Sequence, residues 1–156
     1  MKIFVPYTEL QPATYIALIG YDYELIKLKG LYGYAKYFRD RWNDGQGFIN
    51  IEHDCVPWPG AIEAIRDCPE PWCSYDYSLP CHRNRDMHHE TTFVPLGCAK
   101  INADMITRTK TAWDKLKKWD ILDGYITRLA QTAGFNVHQH FPGIVNANKA
   151  LLNMKG

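Results

Sequence analysis

Long apolar runs are missing from this chain. No stretch approaches the roughly 20 residues that a membrane-spanning helix needs. The opening Met1-Lys2-Ile3-Phe4-Val5-Pro6 is too short an apolar run for a signal peptide. A soluble, cytoplasmic protein with no membrane partner is therefore expected, in the host cytoplasm if a phage encodes it. Charge of one sign is also scarce. Eighteen Lys and Arg against 17 Asp and Glu leave a formal net charge of +1, so nothing global demands nucleic acid. Paired C-x-x-C units are absent, and the five cysteines are an odd number, which points to an intracellular protein with mostly free thiols. Cys68, Cys73 and Cys81-His82 offer a loose zinc spacing, and buried or incidental cysteines are the plainer reading. There is no internal repeat and no low-complexity segment.

What is present fits one globular domain. The chain has 156 residues, 46% apolar and 22% charged. Ten Tyr, six Phe and five Trp can fill a core, and they also suit stacking on sugars or bases. The patterning predicts a strand over 2–6, a helix over 8–19 capped by Thr8, a strand over 21–28 and a helix over 30–42. A turn at 43–47 leads to a strand over 48–54, and a short helix covers 61–66. Residues 68–92 have little periodicity, and a loop of that length in a small domain is often functional. Further elements are predicted as strand over 93–102, helices over 107–118 and 120–133, the latter stopped by Gly134, and a strand over 135–141. The alternation strand–helix–strand–helix–strand predicts an α/β domain with a mainly parallel sheet.

Side chains on a strand alternate faces, so Glu52 and Asp54 are expected on one face at a strand's carboxyl end, where α/β sheets place ligands. Two adjacent carboxylates repel unless a cation lies between them, and oxygen ligands suit Mg²⁺ or Mn²⁺. Solvated carboxylates paired with Lys or Arg are the alternative. In Phe135-Asn136-Val137-His138-Gln139-His140-Phe141, His138 and His140 share a face and form a plausible metal-ligand pair. They could converge with Glu52 and Asp54 on one cation. Asp120 and Asp123 flank the start of a helix; capping explains both, and a general base is the functional reading. The segment 107–119 carries five basic residues, one acid and two Trp, either a solvated face or a surface for a phosphate-rich acceptor.

Taken in order, these motifs resemble small GT-A fold glycosyltransferases, including compact ones of phages and bacteria. The motifs are a β-α-β start, Glu52-His53-Asp54-Cys55-Val56, Pro59-Gly60-Ala61-Ile62, Pro95-Leu96-Gly97-Cys98-Ala99-Lys100-Ile101, Trp119-Asp120-Ile121-Leu122-Asp123 and His138-Gln139-His140. The resemblance implies a compact, GT-A-like (Rossmann-like) single domain over 1–156. It implies Mn²⁺ or Mg²⁺ held by Glu52 and Asp54, in place of the family's D-x-D, with His138 or His140 completing the shell. The donor would be a nucleotide-diphosphate sugar, a UDP-sugar by preference, contacted by Val5, Pro6, Tyr7 and Thr8 and by Glu52 and His53. Asp123, then Asp120, would be the base of an inverting transfer. The Gly97-Cys98 stretch would line the acceptor side. The acceptor would be a glycan, a protein hydroxyl or a hydroxylated base in phage-type DNA. About fifty residues precede Glu52, so a minimal enzyme or a site completed in a homo-oligomer follows.

Two other classes compete. A zinc-dependent HNH-like nuclease or nucleic-acid-binding module would use His88-His89, His138-x-His140, Asn146 and the cysteines. A non-catalytic sugar- or nucleotide-binding domain would use the aromatics. His88-His89-Glu90 touches the H-x-E of zinc deaminases, but no P-C-x-x-C follows it.

Overall fold

The computed structural model describes residues 1–30, 32–75, 94–110, 122–140 and 144–146. The chain opens with β1 (Lys2–Tyr7), α1 (Pro12–Ala17), β2 (Tyr23–Lys27), α2 (Gly33–Asp44) and β3 (Phe48–Ile51). Then come β4 (Cys55–Pro57), α3 (Ala61–Asp67), β5 (Trp72–Tyr75), β6 (Cys98–Ile101), α4 (Ala103–Arg108), α5 (Leu122–Thr132), β7 (His138–His140) and β8 (Ile144–Asn146).

Six strands form one sheet in the order β2-β1-β3-β6-β5-β7. β1 is parallel to both β2 and β3, and β5 is parallel to β7. Only β6 in this sheet runs against its neighbours. The mainly parallel α/β sheet expected from the alternation of elements is therefore observed. β4 and β8 pair separately as a short antiparallel ribbon, Cys55 opposite Asn146.

β3 shows why the sheet is central. All four residues of Phe48-Ile49-Asn50-Ile51 are buried, as a strand covered on both faces requires. Its alternation divides the core in two. Phe48 faces Phe4, Phe38, Trp42 and Ile126, while Ile49 and Ile51 face Val5, Leu18, Ile62 and Ile65. Helices thus cover both faces, α2 and α5 on one and α3 on the other. Fully burying a ring such as Phe38 or Trp42 is worth enough that truncation to Ala costs about 3–5 kcal/mol.

Boundaries differ from expectation for local reasons. α1 starts at Pro12, with Gln11 rather than Thr8 at its N-cap, because proline is preset for the first helical turn. α2 runs to Asp44, where Gly45 at φ 71° supplies the left-handed stop. β3 ends at Ile51, three residues early, because the chain turns there. β4, β5 and β8 were not expected at all. The helix over 107–118 is corrected in part: α4 occupies Ala103–Arg108, capped by the Asn102 side chain on the Met105 N–H, and residues 111–121 lie outside the described ones.

Candidate active site at the carboxyl end of β3

The antiparallel β6 creates the site. Because β1 and β3 run together, their carboxyl ends lie at one edge of the sheet, with Phe4 opposite Asn50 as the last pair. β6 runs the other way, so its beginning reaches that same edge. Cys98 pairs with Ile51, and the Glu52 N–H donates to the Gly97 carbonyl at 2.7 Å.

Glu52 and Asp54 come together through a turn rather than through strand alternation. The Cys55 N–H donates to the Glu52 carbonyl at 3.0 Å, folding the chain back at 52–55. The Gln11 N–H donates to the His53 carbonyl at 3.2 Å and holds that turn against the loop after β1. One ligand atom each from Glu52, Asp54 and Cys55 lies within 4.8 Å of the other two.

Asp123 enters from the opposite side. It occupies the first turn of α5, where negative charge is favourable, yet it is half-buried rather than solvated. Its carboxylate accepts a hydrogen bond from the Leu96 N–H. The Leu96 carbonyl in turn accepts from the Asn50 side-chain amide at 2.6 Å, and Asn50 Oδ1 accepts from the Tyr37 hydroxyl at 2.9 Å. Val94 N–H donates to Thr127 Oγ1 at 3.0 Å, pinning α5 to the same segment. The Leu96 peptide is thus a crosspiece between β3 and Asp123. A buried Asn in an otherwise apolar strand was the signal for it in the sequence.

The electrostatics are those of crowded anions. Burial pushes the Glu52 carboxyl up to about 8, and the charges of Asp123 and Asp54 push the same way. Burial also raises Asp123 to about 6, opposed by the Leu96 N–H. Tyr34, whose hydroxyl is 3.0 Å from His53 Nδ1, is held far above its ordinary range by burial, then by Glu52 and Asp54. The buried Cys55 thiol is likewise driven well up, chiefly by burial, so it stays neutral. Carboxyl oxygens are then the main ligand atoms this group offers, and their chemistry fits Mn²⁺ or Mg²⁺.

The structure does not bring the histidines to this cluster. His138 and His140 lie on β7, and β6 and β5 stand between β7 and β3. Three inter-strand steps amount to about 14 Å. The convergence of Glu52, Asp54, His138 and His140 on one cation is therefore corrected by the strand order. The two histidines stand with Cys68 and Cys73 instead. Val5 and Pro6 are buried in β1, Tyr7 is half-buried, and Thr8 is exposed at the site's edge. Asp120, Cys81-His82, His88-His89 and the basic segment beyond Lys110 lie outside the described residues, and so does the side chain of Asn146.

No family model matches the chain, and no curated protein sequence matches it. Solved structures do. The catalytic domain of Drosophila beta1,4-galactosyltransferase 7, in complex with xylobiose, superimposes with a TM-score of 0.63 at 13% identity, over 92% of this chain and 66% of that one. A glycosyltransferase involved in glycosylation of the major capsid of PBCV-1 gives 0.55 at 11% identity, over 99% and 98%. A197 from STIV gives 0.54 at 14% identity, over 89% and 80%. The fold is GT-A-like. This chain spans just under two thirds of the galactosyltransferase domain but nearly all of the PBCV-1 enzyme. The zinc-dependent nuclease reading gains nothing from this fold. Among the described residues, no helix is long and apolar enough to cross a membrane.

Proposed function

We propose that the chain is a metal-dependent glycosyltransferase that moves a sugar from a nucleotide-diphosphate sugar, a UDP-sugar by preference, to an acceptor hydroxyl with inversion. The observation that carries this reading is the gathering of Glu52, Asp54 and Asp123 at the carboxyl end of β3 in a GT-A-like sheet. Glu52 and Asp54 would hold a divalent cation, and the crowding of carboxylates is the argument for it: the charges acting on Glu52 are those of Asp123 and Asp54. Held there, the ion would supply positive charge to offset that of the departing diphosphate.

The protein's own groups do the rest. Val5, Pro6, Tyr7 and Thr8 border the donor pocket with His53. Asp123 takes the proton of the acceptor hydroxyl. The acceptor oxygen forms its bond to the anomeric carbon as the bond to the diphosphate breaks, and that electron pair leaves on the phosphate oxygen. A carboxylate raised to about 6 suits this role, because a base is most effective when its pKa lies near the working pH. The acceptor is a hydroxylated molecule: a glycan, a protein hydroxyl or a hydroxylated base in phage-type DNA; steep weakening by salt marks the DNA case.

The test is thermal stability with a panel of nucleoside diphosphates and nucleotide sugars, with and without Mn²⁺, alongside hydrolysis of each sugar donor. A ligand specific to the folded state raises Tm by mass action. The expected result is a rise that needs both Mn²⁺ and one class of nucleotide, and that Asp54→Ala removes. Full activity in Asp54→Ala, or no response to any nucleotide, overturns the reading.

A further inference from the structure

The second group of metal-ready side chains lies on the other half of the sheet and takes no part in the proposed transfer. Cys68 follows the last turn of α3, and Cys73 is the second residue of β5. His138 and His140 are the two ends of β7. The parallel pairing of β5 with β7 sets Cys73 directly opposite His138. The chain between α3 and β5 brings Cys68 over the same spot, and Cys68 Sγ lies 3.1 Å from His138 Nδ1. The two imidazole rings are 4.5 Å apart, centroid to centroid. One ligand atom from each of the four residues lies within 4.8 Å of all the others.

We propose that Cys68, Cys73, His138 and His140 form a structural zinc site. Two sulfurs and two imidazole nitrogens are the donor set that tetrahedral zinc takes. Bonds of roughly 2.3 Å to sulfur and 2.0–2.1 Å to nitrogen give a tetrahedron with edges of roughly 3.3–3.8 Å, within the span these atoms already occupy. The cysteines are buried and the histidines half-buried, so water is largely excluded. His140 Nε2 is itself buried, and among the described residues it has no hydrogen-bond partner. A buried nitrogen without a partner is costly unless a ligand uses it.

Lys100 completes the argument. It is buried in β6, opposite Cys73, and its ammonium donates to the Cys68 carbonyl and to the Cys73 sulfur. A metal-bound thiolate is a stronger hydrogen-bond acceptor than a thiol, and the Lys100 ammonium is placed to donate to it. Binding releases the two thiol protons to solvent and leaves the Zn–S₂N₂ unit neutral, with Lys100 against one sulfur. All four positions of the ion are filled by protein, so no open coordination site remains for chemistry. What the ion does is mechanical. β7 is a three-residue strand that, among the described residues, pairs with β5 alone, and such strands hold poorly by backbone pairing alone. The ion ties it to α3 and β5.

The experiment is metal analysis of the full chain, purified under reducing conditions without chelator, followed by cobalt substitution. The expected result is one zinc ion per chain and, with Co²⁺, intense tetrahedral d–d bands and a thiolate-to-cobalt charge-transfer band. Cys73→His keeps four ligands and should halve the charge-transfer intensity, which reads the site even if Cys73→Ser fails to fold. Stripping the zinc should lower Tm and expose β7 to hydrogen exchange before β1 and β3. Glu52→Gln and Asp54→Ala should keep their zinc, which separates failure here from failure of the transferase reading. Protein that neither retains nor takes up zinc, a cobalt spectrum unchanged in Cys73→His, zinc lost with Asp54→Ala, or a Cys68–Cys73 disulfide under reducing conditions would each overturn the proposal.

Discussion

The acidic end of β3 and the thiol–imidazole edge of β5 and β7 both gather side chains of metal-ligating type on one sheet, and they are built on opposite principles. At the first, Glu52, Asp54 and Asp123 gather where burial raises two carboxyls, and the charges of Asp123 and Asp54 raise Glu52 further. At the second, two thiols and two imidazoles gather with no carboxylate among them, and the Lys100 ammonium lies beside them. The first is under electrostatic stress without a ligand; the second is not. Stress of that kind belongs where a substrate and its cation come and go. A neutral, closed, four-ligand set belongs where an ion stays. The two regions should therefore respond separately to mutation, and each prediction below probes that separation.

The largest expected effect is at Asp123. Asp123→Asn should lower kcat by about 10²–10⁴-fold while leaving folding and zinc content intact, as loss of a general base does. In the native enzyme, kcat/KM should rise with pH through about 6, because the base works only when deprotonated. The Asn variant should lack that limb. A pH profile in Asp123→Asn with the native acidic limb would show that another group is the base.

The next effect is on stability. The Glu52 carboxyl is raised from 4.5 to about 8, so between those pH values the folded chain holds a proton that the unfolded chain has lost. Stability contributed by that proton is full below about 4.5 and falls as pH rises to about 8. Glu52→Gln removes this dependence. Without Mn²⁺, its Tm at pH 8 should exceed that of the native protein, at roughly 2–4 °C for each kcal/mol recovered in a chain of this size. Added Mn²⁺ should raise Tm in the native protein and far less in Glu52→Gln. Equal stability of the two proteins across this pH range would show that the acidic end carries no such stress.

How much of this contrast the sequence carried depends on sequence distance. Glu52 and Asp54 were visible because two acids end an apolar strand, and their proximity needs only a local turn, Cys55 N–H on the Glu52 carbonyl. The strand-and-helix alternation was visible for the same reason: β1, α2 and β3 each declare themselves within a dozen residues. Asp123 was visible as the start of a helix, but its burial was not, since that depends on Leu96, just before β6, whose N–H it accepts and whose carbonyl Asn50 of β3 holds. The thiol–imidazole group was legible only as two half-motifs 65 or more residues apart. What joins them is the parallel pairing of β5 with β7, and β5 is hidden in an aperiodic stretch between Pro71 and Pro80. A strand of four residues has too few alternations to announce itself. His138 and His140 were thus assigned to the wrong neighbours.

The smallest effect sharpens the boundary of the acidic region. The Tyr34 hydroxyl sits 3.0 Å from His53 Nδ1, and Glu52 and Asp54 both help to keep it protonated. Tyr34→Phe keeps the ring and removes that one contact. The loss should be about 0.5–1.5 kcal/mol, a fall of a few degrees in Tm. If His53 borders the donor, the missing hydrogen bond acts on ground state and transition state alike. KM for the nucleotide sugar should then rise several-fold with kcat nearly unchanged, the signature of lost uniform binding. A fall in kcat like that of Asp123→Asn would move Tyr34 and His53 from the donor side to the reacting centre. Unchanged kinetics with the same fall in Tm would make the pair a strut for the 52–55 turn alone.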